Sequence, residues 1–264
     1  MIQEKAEVMA NTTVAPGYYV MTLRCGAPFG DSQPGQFVML SVGQGAAPLL
    51  RRPFSIHRLV LEEAGTVALT VLYKVVGEGT GHMAGLVAGA IVDILGPLGK
   101  GFVIRDNYRR VFLAAGGIGV APMVFLLETL HRQPQKIQCD VFLGGRTHGD
   151  LLCRETLERL AHRTVYTTDD GSEGAQCFLT TPLEEAVQQR PPDAIMACGP
   201  KDMLICTAGI AERMRVPCQL SIESAMACGM GACLGCAVAA ADEQGRYHHV
   251  CKDGPVFDAL RVRL

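Results

Sequence analysis

Val111-Phe112-Leu113-Ala114-Ala115-Gly116-Gly117-Ile118-Gly119-Val120-Ala121-Pro122 runs on to Leu127 without a charged residue, between Arg110 and Glu128. The stretch is a little short for a membrane span, and Gly116, Gly117, Gly119 and Pro122 interrupt it. A buried strand, a glycine turn and a helix in series account for it better. An open α/β sheet receives a dinucleotide at such a junction: glycines let the backbone approach the phosphates, and the helix dipole favours their charge. The pattern is not G-x-G-x-x-G, so the common fingerprint does not apply. Pro122 suits the first turn of a helix, where no N–H is needed.

Toward the C-terminus the alternation continues. The sequence predicts a helix over about Pro122–Arg132, a strand over Cys139–Gly144 and a helix over Leu151–Ala161. Strands at Thr164–Thr168 and Ala194–Cys198 and a helix at Lys201–Met214 follow. Strands alternating with helices imply a parallel sheet covered on both faces. At Ala197-Cys198-Gly199-Pro200 a second strand end leads into a helix in the same manner; Cys198 either approaches a bound nicotinamide or is a small buried hydrophobe. Toward the N-terminus the character is β. Tyr18–Arg24, Gln36–Ser41, Val67–Val75 and Ala90–Leu95 are short apolar runs separated by Gly, Pro and Asp turns, which suits a small antiparallel barrel or sandwich. Gly96–Gly101 reads as a connection. The expected fold is a multidomain α+β chain: a β-domain over 1–101, an α/β domain over 102–216 and a small cysteine-rich domain over 217–264.

That last segment carries the sharpest chemistry. Cys228, Cys233, Cys236 and Cys251 follow C-x4-C-x2-C with a distant fourth cysteine, the plant-type [2Fe–2S] spacing. Three thiolates from one short loop must converge on a small cluster, so the loop has to curl tightly. Gly229, Gly231 and Gly235 lie between the ligands, where a missing Cβ permits unusual dihedrals and free amides can point at sulfur. Structural zinc also takes four thiolates, but zinc sites more often pair two short hooks, and only one is present. His248 and His249, just before Cys251, read as exposed loop residues. Of the chain's 11 cysteines the other seven are scattered, and most read as small buried hydrophobes.

Other segments are individually weaker. Arg52-Pro53-Phe54-Ser55 offers a guanidinium fork for a pyrophosphate with a hydroxyl three residues on, although most arginines are merely solvated. Leu72-Tyr73-Lys74, followed by Gly79-Thr80, adds an aromatic, a cation and a turn where a short helix can start toward a phosphate. Asp169 and Asp170 would repel a 2′-phosphate, whereas Arg146 would bind one; the balance favours NAD over NADP. Over 264 residues, 48% hydrophobic and 19% charged composition supports a sizeable core. The net charge of -2 and pI near 6.4 give no electrostatic footprint for nucleic acid. With no secretory layout at the N-terminus and no membrane span, a cytoplasmic protein is expected.

Taken in order, RPFS, LYK, GT, GGIGVAP and CGP resemble the ferredoxin–NADP reductase superfamily. With the C-terminal cysteine segment added, the whole chain resembles the electron-transfer subunits of NAD-dependent bacterial dihydroorotate dehydrogenases. The resemblance implies FAD held by Arg52, Pro53, Phe54, Ser55, Leu72, Tyr73, Lys74, Gly79 and Thr80, and a [2Fe–2S] cluster on Cys228, Cys233, Cys236 and Cys251. NAD would come and go as a diffusible co-substrate near Gly116, Gly117, Gly119, Pro122, Cys198, Gly199 and Pro200. It further implies a partner, an FMN-containing dihydroorotate dehydrogenase catalytic subunit, in a heterotetramer of two of each. Electrons would pass from that FMN through the cluster and FAD to NAD+, with no side chain of this chain acting as acid or base. Phe54 departs from the Tyr or smaller aliphatic residue common there, which affects packing more than chemistry. Related subunits of ferredoxin:NADP oxidoreductase and sulfide dehydrogenase complexes keep the cofactors and change the partner. A zinc-binding regulatory module without redox function is the alternative from another class.

Overall fold

The structure, a computed structural model, describes residues 1–41, 49–62, 65–242 and 244–264. The Gly- and Ala-rich approach to Arg51 falls largely outside them. Six strands close an antiparallel barrel: β1 (Ile2–Ala15), β2 (Tyr18–Gly26), β3 (Phe37–Ser41), β4 (Arg52–Leu61), β5 (Thr66–Lys74) and β6 (Ile91–Leu98), in the order β1-β2-β5-β4-β3-β6. A barrel, not a sandwich, results. Its interior holds Val8, Met21, Leu23, Leu40, Leu69, Val71, Tyr73 and Ile94, the inward half of each strand's alternation. Strand β1 escaped sequence reading because it presents few large apolar residues; Ala6 and Val8 are fully buried while Gln3 and Lys5 reach Asp93 of β6. Gly96, Pro97 and Leu98, expected to lie in a connection, belong to β6, since Leu98 still pairs with Phe37. A short helix, α1 (Glu78–Ala84), joins β5 to β6.

The second sheet takes the order β14-β11-β10-β7-β8-β9. Its parallel strands are β7 (Arg110–Gly116), β8 (Gln138–Gly145), β9 (Arg163–Thr168), β10 (Ala194–Cys198) and β11 (Cys218–Ser221); β14 (Val256–Asp258) adds antiparallel at the edge. Two of these strands, β11 and β14, come from residues 217–264, the stretch expected to hold the cysteine-rich domain. The uncharged run is a strand and a helix, as its glycines imply. Along β7, Val111, Leu113 and Ala115 pack on one face with α2 (Val120–His131) and α3 (Arg154–Leu160). Phe112 and Ala114 pack on the other with α4 (Thr180–Gln189) and α5 (Lys201–Met214). A strand buried on both faces must be apolar throughout.

Helix α3 is shorter than expected because Cys153 takes a left-handed φ of 61°, leaving Leu151 and Leu152 buried but outside it. Helix α4 was not foreseen: its sequence is largely polar and only Leu183 and Val187 are buried. The remaining chain forms a small sheet of β12 (Ala237–Ala240), β13 (Tyr247–His249) and β15 (Val262–Arg263), with α6 (Val250–Asp253) between. His248 and His249 lie in β13 and are half-buried, not loop residues; the His248 ring rests 5.8 Å from Phe257. Among the described residues no helix is long and apolar enough to cross a membrane.

Candidate functional site

Strands β7 and β10 are neighbours in register, Ala115 beside Cys198, so the two glycine turns predicted to meet a nucleotide stand side by side. Their glycines are demanded by that contact. A Cβ on Gly116 would lie 2.6 Å from Pro200 Cδ and 2.8 Å from Met203 Sδ, and one on Gly199 would lie 2.9 Å from the Gly116 nitrogen. A Cβ on Gly119 would press into the Cys198 carbonyl. Gly117 is different: its φ of 53° requires glycine, yet the space beside it is open. Helix α2 starts at Val120, so Pro122 lies in its first turn and costs no hydrogen bond.

Cys198 is half-buried at the end of β10. Burial pushes its thiol up to about 12; the hydroxyl of Ser221 opposes this and the charge of Glu223 adds to it. The thiol is therefore neutral. Ser221 is the register partner of Cys198 in β11. No local motif marks Ser221 or Glu223; only the parallel register reveals them.

The residues of the proposed flavin face lie on adjacent strands. In β4, Arg52, Pro53, Phe54 and Ser55 pair with Leu40, Met39, Val38 and Phe37 of β3. Tyr73 of β5 is buried, stacks on Tyr19 at 5.6 Å and meets the edge of Phe54 at 5.9 Å. Its hydroxyl donates to Asn11 Oδ1 at 3.0 Å. Leu72 points the opposite way, into the core shared with α2. Thr80 caps its own helix: its hydroxyl accepts from Val76 N and Gly77 N and donates to the Gly77 carbonyl, at 2.9–3.2 Å. Gly79 is buried within α1.

Besides Arg58, which donates to Glu128 at 2.9 Å and Thr156 at 2.7 Å, two contacts tie this face to the α/β domain, and neither was visible in the sequence. Two residues past Ser55, His57 is buried with Nδ1 2.8 Å from the Ala121 carbonyl in the first turn of α2. Burial lowers its pKa to about 4, so the ring is neutral and Nδ1–H is the donor. Lys74 Nζ donates to Tyr18 Oη at 2.7 Å and lies 3.4 Å from Asp150, to which Tyr18 also donates. Burial opposes ionisation of Asp150, but the Tyr18 hydroxyl and Lys74 outweigh it and hold the carboxyl below its ordinary range.

At the cysteine loop, backbone amides point at two of the four sulfurs. Cys228 Sγ accepts the Cys233 and Met230 amides at 3.4 and 3.5 Å, and Cys236 Sγ accepts the Cys251 amide at 3.4 Å. Burial raises Cys228, but those amides prevail and bring its thiol down toward ionisation; Cys251, buried against Cys236, is pushed up. Among the described residues no three His, Cys, Asp or Glu side chains gather as one metal ion requires. Gly229 and Gly231 take φ of 71° and 84°, and Leu234 takes 60°, the curl expected of a loop wrapped on a cluster. A Cβ on Gly229 would lie 2.6 Å from Met39 Cγ, so the loop is seated on the barrel at β3. Met39 is the register partner of Pro53. The cysteine loop thus sits one strand from Arg52–Ser55.

Residues 223–263 match the family model described as the iron-sulfur cluster binding domain of dihydroorotate dehydrogenase B, and 113–208 match an oxidoreductase NAD-binding domain. A curated relative from Caldanaerobacter subterraneus subsp. tengcongensis, named dihydroorotate dehydrogenase B (NAD(+)), electron transfer subunit, is 38% identical over 98% of this chain and 97% of its own. The chain belongs to this family of electron-transfer subunits. A Listeria monocytogenes member is 37% identical over the whole of both chains. A chain from the structure of an NADH-dependent reduced ferredoxin-NADP oxidoreductase, solved for flavin-based electron bifurcation, superposes with a TM-score of 0.84 at 26% identity, covering 98% of this chain and 89% of that one. The Neisseria gonorrhoeae ferredoxin NADP+ reductase, with bound FAD and NADP, shares the fold alone: TM-score 0.64, 17% identity, 80% and 91% covered. Membership makes the chain an NAD-linked oxidoreductase subunit, and the cofactor set implied by its motifs, FAD, [2Fe–2S] and NAD, stands with the family.

Proposed function

We propose that this chain couples the oxidation of dihydroorotate, on a separate FMN-bearing catalytic subunit, to NAD+ reduction in pyrimidine biosynthesis, in a cytoplasmic heterotetramer of two of each subunit. The observation that carries it is the seating of Gly229 on Met39, one strand from Arg52–Ser55, which brings a cluster loop beside a flavin strand. When bound, a flavin exchanges electrons singly or in pairs, a cluster exchanges them singly, and nicotinamide takes a hydride.

The residues' parts follow from their placement. Cys228 and Cys233 hold one side of the cluster and Cys236 and Cys251 the other. Arg52 addresses the flavin pyrophosphate, Pro53, Phe54 and Ser55 its ring, and Leu72–Lys74 with Gly79 and Thr80 frame it through backbone and packing. Gly116, Gly117, Gly119, Pro122, Cys198, Gly199 and Pro200 form the nicotinamide corner, where Gly117 leaves the open surface. The neutral Cys198 thiol provides a wall without charge beside the ring. Met230 and Leu234 project from the cluster loop, 44% and 59% exposed, and offer the partner an apolar contact over the shortest route to the thiols.

The test is dihydroorotate-dependent NAD+ reduction by this chain co-expressed with an FMN-type dihydroorotate dehydrogenase subunit of the same genome. Turnover that requires both chains supports the reading. A brown, flavin-containing chain that oxidises NADH or NADPH but gives no such turnover moves the partner to the ferredoxin-linked complexes that the 0.84 superposition favours.

A further inference from the structure

At the C-terminal ends of β8 and β9 lies a corner of alternating charge. Asp150 is 11% exposed, and its two oxygens face different domains. Oδ1 receives Tyr18 and Lys74 from neighbouring barrel strands, where those two are register partners. Oδ2 accepts the Arg146 amide at 3.2 Å and lies 3.5 Å from the Arg146 guanidinium. The second arginine of the corner, Arg154, is held by Glu173 at 3.2 Å and Glu158 at 3.7 Å. Asp170 donates its amide to the Arg146 carbonyl, and its carboxylate accepts from Ser172. Asp169 donates its amide to the Gly145 carbonyl. The Arg146 guanidinium thus has one carboxylate partner, Asp150, while Asp169 and Asp170 are tied to the same turn by their backbone amides.

In a doubly wound sheet the end of the strand next to the glycine turn reads the adenosine ribose, and there an arginine admits a 2′-phosphate. Strand β8 is that neighbour of β7, and Arg146 follows its last residue. We propose that Asp150 is the residue that sets this chain's preference for NAD over NADP: anchored by Tyr18 and Lys74, it holds the Arg146 guanidinium away from a 2′-phosphate and adds a fixed negative charge beside it. The inference rests on the nicotinamide corner proposed above, with the adenosine end of the nucleotide lying over the neighbouring strand β8. Arg146 is 74% exposed, so its pairing alone is weak. The buried, immobile carboxylate is the larger part, because a 2′-phosphate brings nearly two negative charges toward it.

The test uses the complex with its cofactors and follows NADH and NADPH oxidation with ferricyanide. Asn at position 150 keeps an acceptor for Tyr18 and Lys74 while removing the charge. Asp150→Asn should raise the NADPH-to-NADH ratio of kcat/KM about five- to tenfold, the worth of relieving one nearby like charge. Adding Arg146→Ala should keep most of that gain, because the fixed carboxylate is the larger part and the exposed guanidinium the smaller. An unchanged ratio, or a gain that vanishes with Arg146, overturns the proposal. Gly117→Val separates the underlying assumption: if it leaves the NADH KM unaltered, the nucleotide is elsewhere and both readings fall. If it raises that KM while Asp150→Asn leaves the ratio fixed, only the role of Asp150 falls. Should Asp150→Asn shed FAD, Arg146→Ala alone decides. A guanidinium already held by Asp150 leaves the ratio within about twofold, whereas a tenfold fall reveals a free arginine and overturns the proposal.

Discussion

Gly116, Gly119 and Gly199 sit where two parallel strand ends press together, whereas Gly229 and Gly231 sit in a loop that turns at positive φ around four thiols. In the first group the backbone is at φ values open to any residue, and the missing Cβ is replaced by neighbouring chain. In the second the dihedral itself favours glycine, and Gly229 is also pressed hard against Met39, Gly231 more lightly against the flexible Lys252 side chain. Similar composition serves packing density in one place and backbone freedom in the other. Substitutions should therefore fail in different ways: the first by destabilising the α/β sheet, the second by losing metal from an otherwise folded protein.

The largest separation is expected from Cys233→Ser. Dihydroorotate-dependent NAD+ reduction should disappear while NADH oxidation by ferricyanide continues, because Cys233 is exposed on the cysteine loop and packs against none of the glycine turns at Gly116–Gly119 and Gly199. Loss of both activities would mean that the cluster loop is needed for the fold. Next, Gly119→Ala drives a methyl into the Cys198 carbonyl. Overpacking of this kind costs about 2–3 kcal/mol, or about 4–12 °C in Tm for a chain of this size. Calorimetry with a fall under a degree would show that the strand ends have room to part.

Gly229→Ala meets Met39 and an unfavourable φ together. It should lower iron per chain while FAD, measured by absorbance, is retained; parallel loss of both would erase the contrast drawn here. Gly117→Ala is the mildest of the glycine changes, about 1 kcal/mol from its φ alone, and should raise the NADH KM more than it lowers Tm.

A pH profile addresses the join between the two domains. His57 is held neutral, its pKa lowered from 6.5 to about 4 by burial. Between those values the unfolded chain takes up a proton that the folded chain refuses. Stability should therefore be full above about 6.5 and decline as pH falls toward 4. His57→Gln should flatten that part of the Tm profile; an unchanged slope would assign it to other groups.

Local chemistry was legible wherever it lies in consecutive residues. The spacing of Cys228, Cys233 and Cys236, the strand–turn–helix at Val111–Pro122 and helix Lys201–Met214 all follow from constraints acting over one or two turns of chain. Strand β1 and helix α4 were hidden because their burial is slight and their side chains largely polar, so no periodic signal stands out. The end of β6 was misread because its Gly-Pro sequence resembles a turn, and pairing with Phe37 outweighs that local preference.

By itself the sequence determined the cysteine spacing that points to a cluster and the order of the motifs, because thiolate spacing and glycine turns act over short separations. Tertiary structure alone decided that Ser221 stands beside Cys198, that Gly229 rests on the barrel next to Arg52–Ser55, and that Asp150 joins Lys74 to Arg146. Those contacts depend on strand register and domain packing between distant segments. No local propensity encodes them, and they arise only when the separate hydrophobic faces are buried together.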